Sequence, residues 1–136
     1  MSDKKPKIGV VGAGHLGKHH IKHLSNHKGV DFVGVFDINE DSLKNICDEF
    51  SVKPLQSLEE LISSCEAVNI VTPTNTHFDI ARKFLNQKKD VFIEKPITNT
   101  VEEALALINL AKTNKCIVQV GHIERFNPTI NKLKEL

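Results

Sequence analysis

Gly12-Ala13-Gly14-His15-Leu16-Gly17 directly follows the apolar run Ile8-Gly9-Val10-Val11, and Asp37 closes the next apolar run. Gly12 permits a tight turn off a strand. Gly14 lets the backbone approach a pyrophosphate, and Gly17 lets the following helix pack against the sheet. That helix start offers unpaired N–H groups and a partial positive charge to phosphates. Asp37 stands at roughly the distance from Gly12 that a dinucleotide fingerprint requires. A carboxylate there accepts both hydroxyls of a ribose and repels a 2′-phosphate. Ile38 and Asn39 follow it, with no arginine, so the pattern favours NAD over NADP. The competing reading of Asp37 is a turn or helix-capping aspartate.

Three further clusters sit where strands end. Thr72-Pro73-Thr74-Asn75-Thr76-His77 supplies hydroxyls and backbone groups able to line a ribose or a nicotinamide. Pro73 forces Thr72 extended and stops the strand; alternatively, Thr76 simply caps a helix with His77 in its first turn. Glu94-Lys95-Pro96 puts a lysine where a hydride would move, suited to acid/base work on a hydroxyl; the alternative is an ordinary loop lysine. Gly121-His122-Ile123-Glu124-Arg125-Phe126-Asn127-Pro128 offers His122 and Arg125 as substrate contacts, the latter a planar fork for a carboxylate or phosphate. A turn with Arg125 in a surface ion pair is the rival there. His15, His19, His23 and His27 recur every fourth residue, but helical drift spreads them around the surface and no acid or cysteine completes a metal set.

The elements that must hold these clusters alternate. Strands are predicted at Lys7 to Val11, Val30 to Phe36, Val52-Lys53, Ala67 to Val71, Val91 to Ile93 and Cys116 to Val120. The fourth is continuously apolar except for Asn69. Helices are predicted from His15 to about Asn26, with Leu16, His20, Ile21 and Leu24 on one face, and from an Asn39 cap to Phe50. Others follow a Ser57 cap, span Thr76 to Gln87, and follow a Thr100 cap. Ser57 and Thr100 each have a glutamate three residues on, the capping-box pattern. Apolar strands alternating with helices imply an α/β doubly wound parallel sheet, about six strands in the order 3-2-1-4-5-6, with the ligand crevice at the strands' C-terminal ends.

The chain's 136 residues suit one domain, and 40% hydrophobic with 26% charged residues marks it as globular. A net charge of +1, from 18 basic and 17 acidic side chains, gives no field for nucleic acid or a membrane surface. Lys4, Lys5 and Lys7 read as a solvated tail. No segment is apolar and long enough to span a bilayer. Three widely spaced cysteines, Cys47, Cys65 and Cys116, read as reduced thiols of a cytoplasmic protein. Asn127 and Pro128 open a helix with an apolar stripe of Ile130, Leu133 and Leu136 that has no stop signal. The expected division is a dinucleotide-binding domain over 1–127 and, over 128–136, the start of a linking helix to a further domain.

Taken together and in order, G-A-G-H-L-G, Asp37, T-P-T-N-T-H, E-K-P and G-H-I-E-R-F-N-P resemble the N-terminal domain of the Gfo/Idh/MocA oxidoreductases. The resemblance implies a Rossmann fold that binds NAD. Gly12, Ala13, Gly14, His15, Leu16 and Gly17 would hold the pyrophosphate, and Asp37 the adenosine ribose. Thr72, Pro73, Thr74 and His77 would lie along the cofactor, with Glu94 near its nicotinamide side. Lys95 would be the catalytic lysine at the hydroxyl of the oxidised carbon, and the Lys95–Pro96 bond would be cis. The implied reaction is hydride transfer between a sugar, sugar-nucleotide or polyol carbon and nicotinamide. The last motif is similar to that of members oxidising UDP-N-acetyl sugars at C3. The family's second domain, which supplies most of the substrate pocket and the oligomer interface, is missing from these residues; the chain alone should bind NAD without turnover, and the full-length form should be a homo-oligomer. Two other functions compete: a non-catalytic NAD-binding sensor and an S-adenosylmethionine methyltransferase, which also uses a glycine-rich first loop.

Overall fold

The structure, a computed structural model, describes residues 4–135. Five strands, β1 (Lys7–Val11), β2 (Asp31–Phe36), β3 (Ala67–Ile70), β4 (Asp90–Ile93) and β5 (Val118–Val120), form one sheet in the order β2-β1-β3-β4-β5. Every pairing is parallel. The helices are α1 (His15–Asn26), α2 (Glu40–Phe50), α3 (Leu58–Ser64), α4 (Thr74–Asn86), α5 (Val101–Asn114) and α6 (Pro128–Leu133), with a 3₁₀ turn over Ile123–Phe126.

The strand expected third, at Val52-Lys53, does not form. At Val52-Lys53 the chain passes β2 with a single parallel bridge, Val35 to Pro54. Val35 donates its N–H to the Lys53 carbonyl at 3.0 Å, and Leu55 donates to the Val35 carbonyl at 2.8 Å. Pro54 has no N–H with which to extend a ladder. The sheet therefore has five strands rather than six, and the outermost place in the predicted order shrinks to that bridge. The last strand also starts later than predicted, at Val118, because Lys115 takes a left-handed conformation (φ 58°) that ends α5.

Alternation along the strands feeds two cores, as both faces of a covered parallel sheet require. Val11, Val68, Ile70, Val91 and Ile93 pack with Leu61, Ala81, Phe84, Leu85, Leu107 and Ala111 from α3, α4 and α5. Val10 and Val35 pack with Ile21, Ile46 and Cys47 from α1 and α2. Burial pushes the Cys65 thiol up to about 11, which suits a packing rather than a nucleophilic role. Lys4 is less free than a tail lysine: its ammonium meets Glu66 at 2.6 Å.

Four helices start on a side chain that accepts a backbone N–H: Asn39 for α2, Ser57 for α3, Thr100 for α5 and Asn127 for α6. Thr100 and Glu103 form a complete capping box. After Ser57 the box is open, because the Glu60 carboxylate turns instead to the Gln56 N–H and the Lys53 ammonium. Asn39 accepts from Ser42 at 2.8 Å, so Asn39→Ala should lower stability by about 1 kcal/mol. Urea denaturation checks this; an unchanged midpoint would remove the cap from the account of α2.

Candidate active site at the C-terminal rim of the sheet

The chain leaves β1 through a turn with no room for side chains. Gly12 has φ +109°, and a Cβ on it would overlap the Val71 carbonyl. A Cβ on Gly17 would overlap the Gly12 carbonyl. These two glycines are demanded by the fold itself. Gly14 is different. Its φ of −75° is open to any residue, it is exposed, and a Cβ there would meet nothing within 4 Å. It is also the N-cap of α1, which, unlike α2, α3, α5 and α6, has no side-chain cap and, unlike α2, α3 and α5, no acid in its first turn. The bare N–H groups of a twelve-residue helix thus face an open approach, the arrangement that suits a phosphate. His15 and Leu16 are exposed beside it.

Asp37 closes the other side of this approach. One carboxylate oxygen accepts the Ala13 N–H at 2.6 Å and the other accepts the Asn39 N–H at 2.8 Å. Asp37 is thus a turn aspartate, as the rival reading held. It also remains half-exposed on the wall of a cleft of about 470 Å³ lined by Gly12, Gly14, Ser42, Thr72 and Pro73 among others. A carboxylate oxygen has lone pairs left for a ribose hydroxyl after accepting one N–H. A larger open groove of about 660 Å³ shares Phe36, Asp37 and Ile38 with it and runs outward past α2.

Thr72 is half-buried after β3, and its hydroxyl meets that of Thr76 at 2.7 Å. The Thr76 hydroxyl also donates to the Pro73 carbonyl at 2.7 Å. Helix α4 starts at Thr74 rather than Thr76, after Pro73, and no side chain caps it. Thr74 therefore stands at a second bare helix start on the same rim. His77 goes elsewhere: its ring is 1% exposed. One nitrogen meets the Thr72 carbonyl at 2.8 Å and the other the Pro96 carbonyl at 3.0 Å. It ties the loops after β3 and β4 together from below and offers the cleft no free edge.

Glu94 follows β4 and is 9% exposed. Its carboxylate accepts the Lys95 N–H at 3.0 Å and meets His20 Nε2 of α1 at 3.0 Å. Lys95 is exposed on the rim, and the Lys95–Pro96 bond is cis. Gly121, after β5, lies against the Glu94 carboxylate; His122 and Arg125 beyond it are exposed. The sequence reading missed His20 and His77 as organising groups. A histidine on the apolar face of α1 was the available signal for the first. Among the described residues, no three histidine, cysteine or acidic side chains cluster for a metal.

The family model "oxidoreductase family, NAD-binding Rossmann fold" matches residues 6–122, and the chain belongs to that family, the Gfo/Idh/MocA oxidoreductases. This sets it apart from the methyltransferases. It is 36% identical over 129 residues to the UDP-N-acetylglucosamine 3-dehydrogenase of Acidithiobacillus ferrooxidans, covering 95% of this chain and 41% of that protein. A solved structure of that enzyme superposes with a TM-score of 0.89 at 35% identity, covering 97% of this chain and 42% of the other. The scyllo-inositol 2-dehydrogenase (NAD(+)) of Bacillus subtilis is 34% identical, covering 90% of this chain and 37% of its own length. GenD2 from gentamicin A biosynthesis, solved in complex with NAD, aligns with a TM-score of 0.81 at 25% identity, over 87% of this chain and 34% of that one. The chain thus spans about two fifths of the length of these relatives.

The contrast between glycines is testable. Gly17→Ala should destabilise the fold by about 1–3 kcal/mol, since backbone must move to admit the methyl. Gly14→Ala should change stability by less than about 0.5 kcal/mol. Thermal melts of the two variants check this, and an equal loss in both would mean that Gly14 is a packing glycine like the others.

Proposed function

We propose that this chain binds NAD across the rim of its sheet and is the cofactor half of a dehydrogenase acting on a sugar CH–OH group. The observation that carries the reading is the bare start of α1 at Gly14, open in front and flanked by Asp37. Gly12 to Gly17, with His15 and Leu16 at the surface, would hold the pyrophosphate through backbone N–H groups. Asp37 would take the adenosine ribose. Thr72, Pro73 and Thr74 would line the cofactor, and Glu94 would lie near its nicotinamide end. His77 would contribute only through the two carbonyls it holds.

Bound NAD would supply the hydride acceptor. Lys95 would hydrogen-bond the substrate hydroxyl and take its proton as the C–H bond breaks. His122 and Arg125 would face the substrate, Arg125 as a fork for an anionic group such as a sugar-linked phosphate. A nucleotide-linked amino sugar is the substrate class we favour, by likeness to the dehydrogenase of A. ferrooxidans. Residues 1–127 would be the cofactor domain and 128–136 the start of a helix leading to a substrate domain, in an enzyme that works as a homo-oligomer in the cytoplasm.

Isothermal titration of the 136-residue chain with NADH tests the first claim, and saturable binding at one site is expected. Asp37→Ser should weaken it by about 1.5–3 kcal/mol, the value of a charge-assisted hydrogen bond, and narrow the gap between NADH and NADPH. Tighter binding of NADPH to the unaltered chain would overturn the assignment of Asp37. In the dehydrogenase that carries this chain, Lys95→Met should lower kcat by about 10²- to 10⁴-fold with NADH affinity kept. Unchanged turnover would leave Lys95 without a catalytic role and favour a cofactor-binding sensor.

A further inference from the structure

Glu94 is a buried carboxylate with no lysine or arginine partner among the described residues. A buried charge must be compensated by hydrogen bonds or it is strongly disfavoured. Its donors come from two places. Its own chain supplies the Lys95 N–H at 3.0 Å, and α1 supplies His20 Nε2 at 3.0 Å. A third element shapes the site: a Cβ on Gly121 would stand 3.0–3.1 Å from the carboxylate atoms. The carboxyl group is thus boxed in from α1, from the residue after β5 and from the next peptide.

His20 is itself oriented. Its Nδ1 meets the Asn69 side-chain nitrogen at 3.0 Å, and its ring lies 5.5 Å from that of Phe92. Asn69 pairs with Val10 on one side and Phe92 on the other, in the middle of the sheet. Asn69 donating to Nδ1 leaves the ring proton on Nε2, facing Glu94. This explains the one polar residue in an otherwise apolar strand. The chain of contacts runs Asn69 to His20 to Glu94 to the Lys95 amide.

We propose that His20, oriented by Asn69, is a positioning residue that fixes the Glu94–Lys95 peptide through the Glu94 carboxylate and so aims the Lys95 side chain at the nicotinamide end of the cleft. A glutamate has three rotatable bonds, and without an outside anchor its carboxylate would leave the Lys95 N–H. The proposal rests on the reading of Lys95 as the residue at the reactive end of bound NAD. It adds that α1 serves both halves of the cofactor: its first turn faces the pyrophosphate and its second holds the lysine loop.

The test uses amide hydrogen exchange at Lys95, read by NMR on the 136-residue chain, beside titration with NADH and with ADP-ribose, which lacks the nicotinamide. His20→Phe should speed Lys95 exchange at least tenfold and weaken NADH binding severalfold, with ADP-ribose affinity within twofold of the unaltered chain. His20→Gln, which keeps a donor near the place of Nε2, should restore most of both. Gly121→Ala, which pushes on the carboxylate from another element, should reproduce the faster exchange and serves if His20→Phe does not fold. Unchanged Lys95 exchange in the folded variants, or equal losses for NADH and ADP-ribose, overturns the proposal. If the unaltered chain binds neither ligand, the cofactor reading fails, and the exchange result still decides whether His20 holds the lysine peptide.

Discussion

The structure turns on a contact between backbones. The Gly12 carbonyl lies against the Cα of Gly17, and the Cα of Gly12 lies against the Val71 carbonyl, with no space for a methyl group in either place. Because α1 is held this close to the ends of β1 and β3, its first turn stands directly over the sheet's C-terminal rim. Any side chain at Gly12 or Gly17 would push the helix away and separate its N–H groups from Asp37. The dipole of α1 is useful to an anion only within the first turn, so the close approach places a short-ranged attraction where a ligand can meet it.

Asp37 meets a local requirement without leaving the wall of the cleft. Its two oxygens tie the loop after β1, through Ala13, to the turn after β2, through Asn39. The carboxylate is therefore fixed before any ligand arrives. Fixed acceptors lose less entropy on binding than mobile ones. The sequence posed turn aspartate and ribose acceptor as rivals; the geometry shows the first and leaves the carboxylate on the cleft wall, where the proposed second role does not conflict with it.

Features carried by strong local chemistry were legible in the sequence. The glycines, the Asn39, Thr100 and Asn127 caps and the alternation of strands and helices follow from backbone rules acting over a few residues. What escaped depended on which partner each residue takes, which spacing alone does not name. Val52-Lys53 has strand-like residues, but Pro54 limits it to one bridge, so the six-strand order lost its outermost member. His77 reads as a helix-start residue until the Pro96 carbonyl, 19 positions away, is brought to its ring. His20 and Asn69 are 49 positions apart, and neither had a partner on its own element. The box expected at Glu60 failed for a nearer reason, because Gln56 and Lys53, four and seven positions back, competed for the carboxylate.

Two histidines, the half-buried His20 and the buried His77, approach the loop after β4 from opposite faces of the sheet. His20 reaches Glu94 from α1, and His77 reaches Pro96 from α4. Lys95 lies between the two anchored residues and is the exposed one among Glu94, Lys95 and His77. A long flexible side chain is poorly placed by its own packing, so its aim depends on the peptide that carries it. Holding that peptide by polar contacts on both sides is effective because each contact is largely removed from water, where an unmade hydrogen bond is costly. The same argument explains why polar residues interrupt the apolar pattern at His20 and Asn69. They put polar groups at two half-buried positions, where each finds its partner: Asn69 meets His20, and His20 meets the Glu94 carboxylate.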